Sequence, residues 1–176
     1  PLVVAFDELH ALAEEMGVSF IDLRLSQLES ADIRGIPHPN PELGSAQWLP
    51  PETIPFEAFA ELPVPETYPV NVGKMFKDGG IIFLDELNRA RHDVLQAVFQ
   101  LVLDRCVGLH RLLDNWSIVV AGNLGSEDGT DVIELDAALN NRFVHFRVDA
   151  VLDDWLTWAR GADVHEDVIG FIQAHP

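Results

Sequence analysis

One cysteine, Cys106, leaves no second thiol for a disulfide within the chain, and that composition fits a reducing cytoplasm. Lysine and arginine together number 11 against 29 aspartates and glutamates, a formal charge of −18 at pH 7. A phosphate backbone is held by clustered bases, so this balance opposes direct, nonspecific binding to nucleic acid. No run of about 18 apolar residues occurs, which argues against a helical membrane span, and nothing has the form of a signal peptide. The seven histidines, among them His10, His92, His110 and His145, fall into no metal-binding spacing of the HExxH kind. Internal repeats and low-complexity tracts are also lacking. The first residue is Pro1 and not methionine, so the chain reads as a processed protein or an excised piece.

What is present is material for a core. Hydrophobic residues make up 48% of the 176 positions and are spread throughout, as in one globular domain. Leu2, Phe6, Leu9, Ala13 and Met16 recur at helical period, which predicts a helix over at least Asp7 to Met16, stopped at Gly17. The "PLVV" before it reads either as that helix's first turn or as a short valine-rich strand. "VSFIDLR", Val18 to Arg24, reads as a strand. From Gly35 to Pro69 the density of proline excludes long regular elements and marks an insertion, with one short helix expected at Phe56 to Leu62. A loop of that length in a compact domain is usually functional or mobile.

The stretch "GGIIFLDELNRA" runs four apolar residues, Ile81 to Leu84, into Asp85-Glu86. Apolar residues without alternation predict a strand covered on both faces of a parallel sheet, and such strands present functional groups at their carboxyl ends. Val94, Leu95, Val98, Leu101 and Val102 then mark an amphipathic helix, and "DRCVGLHRLLDNW" has the form of a hairpin-like connection. "WSIVVAGN", Trp116 to Asn123, is the next buried strand. A polar, glycine-bearing loop follows, then a short helix through Leu135 to Asn140 and the strand "FVHFRV". The tail from Val151 carries two helical patterns, one presenting Trp155 and Trp158, with Gly161 between them. Strands alternating with helices predict an α/β fold with a parallel sheet flanked by helices.

Three polar signals therefore stand at the ends of buried elements: Asp85-Glu86, Asn123, and Arg142 in "LNNRF". Together they point to nucleotide hydrolysis. An aspartate after a hydrophobic strand can hold magnesium through its water shell, and an adjacent glutamate can polarise the attacking water. An asparagine on the neighbouring strand can orient that water or sense the terminal phosphate. An arginine projected towards an adjoining subunit can neutralise charge in the transition state. Each has a plainer reading: Asp85-Glu86 can mark where the strand reaches solvent, Asn123 can cap the following loop, and Arg142 can pair weakly with a surface carboxylate.

"GGIIFLDELNRA", "VLQAVFQLVLDR", "WSIVVAGN" and "LDAALNNRFVHF", in that order, resemble the AAA+ ATPases of the MoxR type, in the group that includes magnesium chelatases. "FIDLRLSQLESADIRGIP" and "DDWLTWARGADVHEDVIGFIQ" extend the resemblance over nearly the whole chain. It implies a P-loop NTPase-like core over 1–149, with the proline-rich insertion at 35–69, and the start of a helical lid over 150–176. By the same resemblance Asp85 and Glu86 correspond to the Walker B pair, with Asp85 on magnesium through water and Glu86 activating water. Asn123 corresponds to sensor 1, contacting ATP beside Asp85 and Glu86, and Arg142 to the arginine finger. Asn88 and Arg89 match the motif's continuation and, with Arg142, are expected near a subunit boundary; local contacts at a helix start are the alternative. "CVGLHRLL" falls where the family carries a hairpin before sensor 1. The implied assembly is a homo-oligomeric ring, expected as a hexamer, working in the cytoplasm with ATP and Mg2+ on a protein partner. A von Willebrand factor A domain with a metal-dependent adhesion site is the partner class the family suggests.

The chain departs from that pattern in one respect. A Walker A loop, G-x-x-x-x-G-K-[ST], cradles phosphates with backbone amides and a lysine, and no such run occurs. Gly73-Lys74 lacks the upstream glycine and lies on the wrong side of the second strand. If Pro1 to Met16 is one helix, loop and first strand both lie outside the chain; if "PLVV" is the first strand, strand passes almost directly into helix. Loss of a central strand leaves unpaired backbone groups in the core, which favours "PLVV" as the strand. The family's sensor 2 element is also missing, so adenine contacts have no assignment. The chain by itself is expected to bind ATP weakly or not at all. The rival expectation is a non-hydrolysing AAA-like scaffold that keeps the fold and ring contacts.

Overall fold

The computed structural model describes residues 2–60, 79–123, 137–147 and 151–175. The chain divides into two compact units, Asp7–Phe143, and Val144–Pro176 together with Pro1–Phe6. Helix α1 spans Leu2–Met16, so Leu2 to Val4 of "PLVV" are helical and the expectation of a strand there is overturned. Extending a helix that already exists adds one hydrogen bond per residue fixed, and the apolar stripe continues unbroken to Leu2. Ala13, on that stripe, is buried.

Strand β1 (Ser19–Arg24) follows, then a 3-10 turn at Leu25–Gln27 and helix α2 (Ser30–Arg34). The proline-rich insertion holds an antiparallel hairpin of β2 (Ile36–Asn40) and β3 (Ser45–Leu49), which proline density alone does not announce. The expected short helix is present as α3, Glu57–Ala60. Gly73-Lys74 lies outside the described residues. Strand β4 (Gly80–Asp85) leads through a 3-10 turn at Leu87–Arg89 to helix α4 (His92–Asp104). The hairpin-like connection is a short pair, β5 (Cys106–Val107) and β6 (His110–Arg111), and β7 spans Trp116–Val120. Helix α5 covers Ala137–Asn140.

The sheet is parallel with order β1-β4-β7, and helices flank it. This is a mixed α/β architecture, a parallel sheet with helices beside it. β4 takes the middle place, and Gly80 through Leu84 are all buried while Asp85 emerges at the carboxyl end. β1 alternates instead, with Ile21 and Leu23 inward and Asp22 and Arg24 outward. Ile82, Leu84, Trp116 and the α4 residues Val94, Leu95, Val98 and Leu101 join Ile21 and Leu23 in one core. Gly80 makes this packing possible: a Cβ there would overlap the Ser19 carbonyl oxygen and stand 2.7 Å from the Trp116 ring.

The expected strand "FVHFRV" is not formed over its described residues, Phe143 to Arg147. Val144 and Phe146 are 81% and 84% exposed. A strand exists only by pairing, and none of the three strands of the parallel sheet pairs with this segment. In the smaller unit, α6 (Leu152–Gly161) and α7 (Glu166–Ala174) are the two helices that the tail's periodicity predicts. Among the described residues, no helix is long and apolar enough to cross a membrane.

Candidate functional site

Parallel pairing brings the carboxyl ends of β1, β4 and β7 side by side, with Arg24 opposite Asp85 and Leu84 opposite Val120. Beyond the last paired residues the ladder continues irregularly. Ala121 N–H donates to the Leu84 carbonyl at 2.9 Å, and Leu87 N–H donates to the Ala121 carbonyl at 3.0 Å. These two bonds tie the segment before Asn123 to the turn after Glu86.

Asp85 leaves the core with its side chain 14% exposed. Its Oδ1 accepts the Glu86 N–H at 2.8 Å, and its Oδ2 lies 3.5 Å from Arg24 Nε. Glu86 adopts a left-handed backbone, φ 55° and ψ 40°, a conformation that costs a non-glycine residue about 1 kcal/mol or more. The kink ends the strand and starts the 3-10 turn. The Glu86 carboxylate then meets two partners, the Ser26 hydroxyl, which donates to Oε2, and Arg89, whose Nη1 is 3.5 Å from Oε1. Asp22 lies on the same face of β1 as Arg24. Partial burial raises its carboxyl above the ordinary 3.8, the Arg24 guanidinium offsets part of that rise, and the Asp85 carboxylate adds to it.

Asn88 is buried, 7% exposed. Its Nδ2 donates to the Asn123 carbonyl at 2.6 Å, and its Oδ1 accepts the Asn123 N–H at 3.0 Å. One side chain thereby satisfies both main-chain groups of Asn123. Gly122 lets it come close, since a Cβ at that position would stand 3.1 Å from Asn88 Oδ1. The Asn123 side chain makes no hydrogen bond with any described residue.

The site residues read from sequence therefore fall into two sets. Asp85, Glu86, Asn88, Arg89 and Asn123 gather at the ends of β4 and β7. Arg142 stands apart, in the turn after α5, exposed and without a hydrogen bond or ion pair to any described residue, while the adjacent Phe143 packs on the core. Asn88, expected near a subunit boundary, has both polar atoms engaged within its own chain. Sequence reasoning missed Ser26, Arg24 and Asp22. The available signal was their place at the end of the strand that "VSFIDLR" predicts, but only the pairing register brings that end to Asp85 and Glu86.

Among the described residues, no group of three or more His, Cys, Asp or Glu side chains is placed to hold a metal ion. Asp85 offers one carboxylate. Mg2+ keeps several waters and commonly takes one or two carboxylates plus phosphate oxygens, so this donor suits contact through the ion's water shell and not a protein cage.

No protein family and no curated protein matches the sequence. A solved structure from Cytophaga hutchinsonii ATCC 33406, described as a "putative ATPase", is similar at 16% identity and a TM-score of 0.43. That similarity covers 84% of this chain and 39% of the other, so this chain spans well under half the other's length.

Proposed function

We propose that this chain is the core of a MoxR-type AAA+ ATPase that, in the complete protein, binds MgATP between subunits of a ring and couples hydrolysis to remodelling or chaperoning a protein partner. The observation that carries the reading is the junction itself. Two adjacent carboxylates end a buried central strand, and the neighbouring strand's Asn123 is fastened to the turn that follows them by Asn88. An arrangement of this kind gives nucleotide hydrolysis its acidic pair and its sensing amide on one rigid edge.

In this reading Asp85 holds the water shell of Mg2+ and Glu86 polarises the attacking water. The Ser26 hydroxyl and Arg89 set the direction of the Glu86 carboxylate. The Asn123 side chain faces the terminal phosphate with its backbone already fixed. Arg142 is the finger offered to a neighbouring subunit's nucleotide, and Arg89 lies towards the same boundary. MgATP, when bound, supplies the transferable phosphoryl group and the divalent charge that offsets it. The partner class is a protein carrying a von Willebrand factor A domain, the compartment the cytoplasm, and the ring a hexamer.

A second reading, a scaffold without turnover, is favoured by one specific feature. Both Glu86 oxygens are engaged, by Ser26 and by Arg89. The test is MgATP turnover by the natural protein isolated from its source, beside its Glu86→Gln variant. The ATPase reading expects turnover to be lost and ATP binding to persist in the variant. Undiminished turnover in Glu86→Gln overturns the role of Glu86. No ATP binding, with partner remodelling intact in both proteins, selects the scaffold.

A further inference from the structure

Away from the carboxylates, the β2–β3 and β5–β6 hairpins enclose a groove of about 830 Å³. Leu43, Trp48, Val107 and Leu109 give it an apolar lining, and Leu43 and Leu109 are 76% and 97% exposed. The groove is held open by hydrogen bonds on two sides. His110 Nε2 donates to the Trp48 carbonyl at 3.0 Å, joining the hairpins, and Gly108 N–H donates to Gln100 Oε1 at 2.9 Å, anchoring the β5–β6 turn on α4.

The backbone of β3 is the second observation. Pro37 and Pro39 on β2 stand opposite Trp48 and Ala46. Proline has no N–H, so the bonded pairs of the ladder fall to Ile36 with Leu49, His38 with Gln47 and Asn40 with Ser45. On β3 this turns the main-chain groups of Ala46 and Trp48 away from β2, and both residues line the groove. Apart from the Trp48 carbonyl, these groups hydrogen-bond to no described residue. The outer edge of β2 lacks N–H donors at Pro37 and Pro39 and is thereby closed to pairing. One edge of the hairpin is blunted, and the other opens onto an apolar groove.

Charge supplies the third observation. The chain carries 29 acidic residues against 11 basic ones, yet among the described residues no carboxylate lines this groove. Arg34 lines it and pairs with no described residue, whereas Arg24, Arg89, Arg91 and Arg111 are each ion-paired.

We infer that the groove docks an extended segment of a protein partner, which adds a strand to the edge of β3 through the Ala46 main chain and the Trp48 N–H, the Trp48 carbonyl being held by His110. Alternate apolar side chains of that segment sit against Trp48 and Leu43, and a carboxylate between them meets Arg34. Main-chain pairing provides affinity and the alternate side chains provide selectivity, as in other strand additions. With five residues in β3, the contact accommodates a segment of about five or six residues. The inference stands independently of any ATPase activity.

The experiment is fluorescence anisotropy on the full chain with four capped, labelled hexapeptides: alternating Val-Glu, alternating Val-Lys, and Val-Glu N-methylated on the valines or on the glutamates. The expected result is saturable binding of Val-Glu, with Val-Lys weaker by about tenfold or more. One N-methylated peptide should lose binding and the other keep it, because only alternate N–H groups face a paired edge. Trp48→Ala and Arg34→Ala should each weaken Val-Glu by about five- to tenfold. Arg34 is exposed and the methylated peptides leave the protein untouched, so a misfolded Trp48 variant does not decide the outcome. The inference is overturned if Val-Glu fails to bind, if Val-Lys binds equally, or if neither or both methylations matter. It is also overturned if sedimentation shows a self-association that Trp48→Ala abolishes and Val-Glu does not compete with, because the occupant is then a second copy of this chain.

Discussion

Asn88→Ala tests whether a single side chain fastens the two strand ends. The side chain is 7% exposed and spans from the turn after Glu86 to both main-chain groups of Asn123, at 2.6 and 3.0 Å. Truncation removes two hydrogen bonds at about 1 kcal/mol each, and leaving their partners unpaired in a half-buried place costs about 1 kcal/mol more. The sum, about 3 kcal/mol, is a large share of the stability of an ordinary domain. Urea unfolding followed by far-ultraviolet circular dichroism reads it as a lower midpoint at unchanged slope. Gly122→Ala supplies an internal check, because its Cβ would press on Asn88 Oδ1 at 3.1 Å. Alone it should cost about 1 kcal/mol. In the Asn88→Ala background the obstruction is gone, so the double variant should be more stable than additivity predicts by about the same amount. A loss below about 0.5 kcal/mol for Asn88→Ala, together with an additive cycle, would refute the fastening argument.

Three further outcomes follow from the same geometry. Glu86→Gln keeps the backbone kink and an acceptor for the Ser26 hydroxyl, so its unfolding free energy in urea should match the parent chain within about 0.5 kcal/mol; a larger loss would mean that activity changes in this variant report folding. Gly80→Ala drives a methyl group into the Ser19 carbonyl and the Trp116 ring, so it should cost about 3 kcal/mol or more in urea, and a neutral result would contradict the tight approach of β1, β4 and β7. Asp22 has its carboxyl raised by burial, partly offset by Arg24, and raised further by Asp85. Its contribution to stability is therefore fully present below the unfolded value of 3.8 and is lost as pH rises through the higher folded value. Asp22→Asn should accordingly be more stable than the parent chain at pH 7, with the advantage vanishing below pH 3.8; an advantage that grows towards acid would give the shift the opposite sign.

The middle of the sheet was legible because its residues answer to local rules. An unbroken run from Ile81 to Leu84 needs cover on both faces, and the carboxylates after it mark where the cover ends. The "CVGLHRLL" hairpin and the two tail helices follow from glycine placement and apolar period in the same way. Local rules misled where pairing decides. The valines of "PLVV" carry strand preference, yet helix continuity prevails in α1. "FVHFRV" has a strand's composition, and its described residues form no strand. Pro37 and Pro39 look like breakers, but at alternate positions opposite Trp48 and Ala46 they leave the ladder intact and close only the outer edge.

The candidate site shows the same division at the scale of single side chains. Asp85 and Glu86 could be read from the sequence because Asp85 ends the strand that positions it and Glu86 follows directly. Ser26 could not, since it reaches Glu86 across 60 residues through a register that no local pattern encodes. Asn88 has a subtler cause: in a regular helix its direction would follow from period, but the left-handed Glu86 resets the chain before the 3-10 turn and carries Asn88 inward to Asn123. A kink at Glu86 thus does two things together. It exposes one carboxylate to Ser26 and Arg89, and it aims an amide at the next strand, so strain at one residue is stabilised by contacts on both sides of it.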